Sequence, residues 1–176
     1  MSTPTSTPTD AHLAERFRPV FARIAEGATQ RETDRALAYA PVQWLREAGF
    51  GALRVPASLG GLGASVEQLF DLLIELGTAD SNLPQILRAH FGFIERLYAE
   101  IEPALQTQWL RRAAGGVIYG NATTELGEGP LGTLKTTLRP LGQAWVLDGD
   151  KYYSTGTLYA DWIAVTAQRD DGGGHS

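Results

Sequence analysis

The chain contains no cysteine. Disulfides, thiolate catalysis and cysteine-ligated metals are excluded, and a cytoplasmic location is expected. Histidine is scarce too. His12, His90 and His175 are too few and too scattered for a metal site. No run of about 18 apolar residues occurs, so no transmembrane helix is expected. Basic runs are also missing. The net charge is −5, with both signs interspersed, which argues against nucleic acid or an anionic membrane as a partner. The start, Met1 to Asp10, lacks the positive and apolar regions of a secretory signal. Ser-His-Asp and paired-carboxylate signatures are absent as well.

What is present is globular. Hydrophobic residues make up 43% of 176 positions and charged residues 20%. Residues 1–9 are rich in Ser, Thr and Pro and are expected to form a disordered tail. From 10 to 115 the signals are helical. Asp10 is a candidate N-cap, and Leu13, Phe17, Val20, Phe21 and Ile24 recur at helical spacing up to Gly27. A second segment, 31–48, is divided near Pro41 and closed by Gly49. Phe50 to Pro56 reads as a short extended piece before the glycine run Gly60-Gly61-Leu62-Gly63. That run is a loop or, less simply, a phosphate contact; it lacks the lysine and the strand–turn–helix setting of a phosphate cradle. Further helices are predicted over 65–76, 82–98 and 103–114. The first of these is apolar nearly all round and reads as buried.

At Gly115-Gly116 the pattern changes to short alternating runs. Strands are predicted at 117–123, 134–139, 144–147, 151–155 and 162–168. Asp148-Gly149 reads as a hairpin turn. The chain runs out in Asp170-Asp171-Gly172-Gly173-Gly174-His175-Ser176, which is loop composition. The predicted class is therefore α+β: a helical N-terminal domain (10–115), then an incomplete antiparallel β-domain (116–176) with an open edge.

Three features could carry chemistry. His90 has Ile86, Leu87, Phe93 and Ile94 around it on the apolar face of its helix. It is either a packed histidine or a proton donor lining a pocket. Tyr119-Gly120-Asn121-Ala122-Thr123-Thr124-Glu125 places polar side chains after a strand start. Lys151 to Trp162 crowds hydroxyls and aromatics at a strand end. Such neighbours suit an isoalloxazine ring, whose polar edge takes hydrogen bonds and whose flat face takes an aromatic platform. Each feature alone also fits an ordinary Thr- and Tyr-rich sheet surface.

Together with Leu45-Arg46-Glu47-Ala48-Gly49-Phe50, Arg54-Val55-Pro56 and the glycine run, these stretches resemble the N-terminal and middle domains of the acyl-CoA dehydrogenase superfamily. Asn121-Ala122-Thr123-Thr124-Glu125 is similar to its Thr-Glu motif. Asp148-Gly149-Asp150-Lys151-Tyr152-Tyr153-Ser154-Thr155-Gly156 is similar to its Asn-Gly-x-Lys-x-x-Ile-Thr motif. The resemblance implies a flavin cofactor, FMN or FAD, with Thr123, Thr124, Tyr153, Ser154 and Thr155 as contacts. Thr124 and Thr155 would hydrogen-bond the ring and Tyr153 would stand against it.

Leu126-Gly127-Glu128-Gly129-Pro130 departs from the dehydrogenases' Pro-x-x-Gly-Ser-Asp. The Gly-Asn-Ala lead-in and the Tyr-rich run look more like the monooxygenase branch, which includes dibenzothiophene monooxygenase and sulfur-acquisition oxidoreductases. That branch uses reduced flavin, commonly FMN from a separate flavin reductase, with O2 and a small organic, in some cases organosulfur, substrate. In that reading His90 and Asn121 line the oxygen and substrate side of the ring. Two alternatives stand: a fragment of an FAD-dependent acyl-CoA dehydrogenase, or a catalytically inactive short product acting as an interaction module. The family's C-terminal helical bundle, which supplies the dehydrogenase base and much of a homo-oligomeric, tetrameric interface, has no counterpart in these residues.

Overall fold

The computed structural model describes residues 7–100, 102–126 and 134–170. The helices are α1 (Asp10–Glu26), α2 (Ala28–Asp34), α3 (Tyr39–Glu47), α4 (Val66–Ala79), α5 (Asn82–Glu100) and α6 (Pro103–Ala114). Most begin or end where the local chemistry asks. The N-cap of α1 is Thr9, not Asp10: its hydroxyl accepts from the His12 N–H at 3.2 Å. Pro8 is held as well, its carbonyl accepting from Gln68, so the predicted tail already has structure at these two residues; residues 1–6 lie outside the described ones. Ser65 and Gln68 form a capping box on α4. Pro41 sits in the first turn of α3, where its missing N–H costs nothing. The break between α2 and α3 falls earlier, at Arg35, whose φ of 51° is left-handed.

Leu13, Phe17, Phe21 and Ile24 of α1 pack with Leu45, Phe50, Leu53, Leu72, Leu76, Leu87 and Phe91 in one core. Residues 50–56 are not extended. Phe50–Ala52 and Ala57–Leu59 are 3-10 turns, and Phe50, Leu53 and Val55 are fully buried. A short apolar run reads equally as strand or buried turn, and the core took it as a turn. The glycine run is a loop with its donors spent. The N–H groups of Gly61, Leu62, Gly63 and Ala64 donate to Pro56, Ala52, Val55 and Leu53, leaving none of them for a phosphate. The expectation for α4 needs correcting. Leu69, Leu72 and Leu76 are buried, but Val66, Phe70 and Ile74 are exposed, Ile74 at 68%. Its apolar residues do surround it, yet among the described residues only one side is covered.

The β-region holds β1 (Tyr119–Ala122), β2 (Thr137–Leu141), β3 (Ala144–Asp148), β4 (Trp162–Val165) and β5 (Gln168–Arg169). The α+β class stands, with finer pairing that is mixed. The β2–β3 hairpin is antiparallel, while β1–β4 and β2–β5 are parallel. Parallel partners need a long crossover, and that span is not visible in strand patterning. The hairpin turn is Gly142-Gln143, with φ 62° at Gly142. A glycine with positive φ at the first turn position matches the right-handed strand twist. Asp148-Gly149, expected to be the turn, instead ends β3. Gly149 lies against Thr136, so closely that a Cβ would stand 2.6 Å from its Cα. Residues 151–155 form no strand beyond a single bridge, Thr124 to Tyr153.

Candidate functional site

Two backbone segments meet on one side of the β-region. The Asn121 N–H donates to the Thr155 carbonyl at 3.2 Å, and the Tyr152 N–H donates to the Thr124 carbonyl at 3.0 Å. With the Thr124–Tyr153 bridge, these bonds lay residues 152–155 alongside 121–124. Asn121, Thr123, Thr124, Tyr153, Ser154 and Thr155 are thereby brought together. Tyr153 is 66% exposed, and Thr123, Thr124 and Ser154 are exposed beside it. Among the described residues the side chain of Asn121 and the N–H of Thr155 have no hydrogen-bond partner. The surface therefore offers hydroxyls, free donors and one aromatic ring.

Helix α5 is its floor. Gly156 has φ 75°, and a Cβ there would run into the Ile86 carbonyl, so glycine is required twice over. Arg88, one turn further along α5 from Pro84, reaches out and donates to the Thr155 hydroxyl at 3.2 Å.

A buried ion pair straps the two segments. Lys151 Nζ lies 2.5 Å from Glu125 Oε1, and both side chains are 8% exposed. Lys151 also donates to the Thr123 carbonyl, while Glu125 accepts the N–H groups of Lys135 and Thr136. The Lys151 hydrogen bond, with these further donors, holds the Glu125 carboxyl far below the usual carboxylate range. Glu125 is thus a fastening rather than a base in waiting.

His90 lies elsewhere. It is fully buried beneath β1, its ring stacked on Tyr119 at 5.5 Å. The Tyr119 N–H donates to Nδ1 at 3.2 Å, so the proton sits on Nε2, which donates to the Gly51 carbonyl at 2.8 Å. Burial pushes its pKa down to about 4. Both nitrogens serve the backbone, and the imidazole joins α5, the Phe50–Ala52 turn and β1. The geometry gives it a packed setting with two satisfied nitrogens. Asp161 fastens the residue that leads into β1. It accepts the Ile118 N–H at 2.8 Å and pairs with Arg46 at 3.1 Å.

Arg88, Lys151 and Asp161 were missed by sequence reasoning as parts of this arrangement. A charged residue set among hydroxyls at 151 was the available signal. Nothing in the helical pattern around residue 88 points to Thr155. The Gly127–Pro130 departure lies outside the described residues. Among those described, no cluster of His, Asp or Glu could hold a metal ion, and no helix is long and apolar enough to cross a membrane.

Residues 7–117 match the family described as "Acyl-CoA dehydrogenase, N-terminal domain". A relative from Mycobacterium tuberculosis, "Probable acyl-CoA dehydrogenase FadE10", is 31% identical over 140 residues, which cover 76% of this chain and 21% of that protein. The FMN-bound structure of TdsC from Paenibacillus sp. A11-2 superposes with a TM-score of 0.82 at 23% identity, over 93% of this chain and 42% of that one. Another structure of TdsC is described as dibenzothiophene monooxygenase. The methanesulfinate monooxygenase MsuC from Pseudomonas fluorescens gives 0.78 at 23% identity, over 99% and 41%. The chain thus spans about a fifth of the curated relative and about two-fifths of these structures.

Proposed function

The chain belongs to the acyl-CoA dehydrogenase family, and from that premise we propose that it forms the flavin-facing part of a monooxygenase-like oxidoreductase. The carrying observation is the convergence of Thr123, Thr124, Tyr153, Ser154 and Thr155 on one open surface. The residues present fit a flavin. An exposed phenol ring can cover the flat face, while hydroxyls, the Asn121 amide and the Thr155 N–H can meet the polar edge. When bound in reduced form, flavin supplies the electrons that activate O2 for transfer to a small organic substrate.

This chain's residues do the holding. Thr124, Ser154 and Thr155 orient the ring, and Tyr153 shields one face from water. Asn121 presents an amide to the substrate side. Lys151–Glu125 keeps the two contact segments at fixed spacing, and His90 fixes the height of β1 over α5. FMN is the form expected, as the FMN-bound TdsC structure suggests, and the resemblance to the monooxygenase branch adds its delivery in reduced form by a separate flavin reductase. The FadE10 likeness favours a second reading, FAD-dependent dehydrogenation of an acyl thioester.

Titration with oxidised and reduced FMN and FAD, followed by flavin fluorescence, tests both. Reduced FMN is expected to bind more tightly than FAD. Thr155→Ala should weaken binding by roughly tenfold, the cost of one good hydrogen bond to a buried ligand. Tighter binding of FAD would favour the dehydrogenase reading. A Thr155→Ala chain that binds like the parent would count against the site.

A further inference from the structure

Between α4 and α5 runs an apolar groove of about 560 Å³, lined by Phe70, Leu73, Pro84 and Phe91 among others. That volume falls within the roughly 300–1,000 Å³ of small-molecule sites. Two charged side chains stand on it, Arg88 and Glu95. They differ in one respect. Glu95 is already neutralised by Arg54, with Nε 2.6 Å from Oε1 and Nη2 3.3 Å from Oε2. Arg88 meets no carboxylate among the described residues; its one hydrogen bond goes to the neutral Thr155 hydroxyl. The groove therefore carries a spare positive charge at the end that touches the Thr155 loop.

We propose that this groove binds a small amphiphilic oxyanion, its carboxylate or sulfonate on the Arg88 guanidinium and its apolar body between Phe70 and Phe91. A guanidinium offers a planar fork that matches either anion with two parallel hydrogen bonds. The apolar walls reward a hydrocarbon tail and give a free inorganic anion nothing. Arg88 is then a specificity-determining residue. It ties substrate choice to the loop that faces the cofactor, so the inference that the bound anion is the substrate rests on the flavin site proposed above.

The probes are octanoate, octanesulfonate and the neutral octanol, titrated into the chain and followed by amide NMR shifts. Both anions are expected to bind at least about tenfold more tightly than octanol, the worth of a charge-assisted pair, and to shift α5 and Thr155 amides. Arg88→Gln should abolish the preference, and Arg88→Lys should restore part of it. Equal binding of octanoate and octanol, or octanoate binding unchanged in Arg88→Gln, would overturn the proposal. FMN titrated separately keeps the two readings apart. Anion preference without any flavin shift at 121–125 and 152–155 overturns the flavin site and leaves the groove. The reverse overturns the groove alone.

Discussion

His90 illustrates how a residue's neighbours decide its chemistry. Its sequence setting left two roles open, because apolar residues at three and four positions away describe both a pocket wall and a core. The structure gives both nitrogens backbone partners, and desolvation does the rest. The sign follows. A base whose folded pKa is depressed prefers the unfolded state when protonated. Stability is therefore full above the ordinary value of 6.5 and falls as pH drops from there towards about 4, by on the order of 3 kcal/mol in all. The His90 ring resonances should show no inflection near pH 6.5 and should move only near 4. An inflection at the ordinary value would show a ring open to solvent. Glu125 works in the opposite sense. Its depressed pKa gives stability that is present above the ordinary carboxylate value of 4.5 and lost in acid.

At the scale of elements, helices were legible where their periodicity met a covered face. Leu13, Phe17 and Phe21 marked α1 because one side of it is buried. The pattern of α4 could not say which of its apolar sides is covered, since hydrophobicity records a preference and not a neighbour. Leu76 and Ile74 separate the two cases. Leu76→Ala should cost about 2–5 kcal/mol through the cavity it leaves. Ile74→Ala, at an exposed position, should stay within about 0.5 kcal/mol beyond helix propensity. Urea unfolding of the two variants measures both, and equal losses would mean that Ile74 is covered too. The sheets were legible as strands but not as partners. β1 pairs with β4 across the whole hairpin, and no local turn signal encodes such a crossover.

For the whole molecule, the candidate surface is a product of assembly. Its contacts come from two segments far apart in sequence, seated on a helix from the other region. Motif resemblance brought out Thr124, Tyr153 and Thr155, while Arg88 needed the folded arrangement, because α5 passes under Gly156 only once Ile86 and that glycine are in contact. The same assembly leaves Phe70 exposed on the groove wall and Ile74 exposed elsewhere on α4. The most direct test of the central claim is an amide NMR titration of the 19.0 kDa chain with FMN, which reports even weak binding residue by residue. Shifts concentrated at Thr123, Thr124, Tyr153, Ser154 and Thr155, and lost in Tyr153→Ala, are the result expected. Shifts centred elsewhere, or none at millimolar flavin, would contradict a flavin site on this surface.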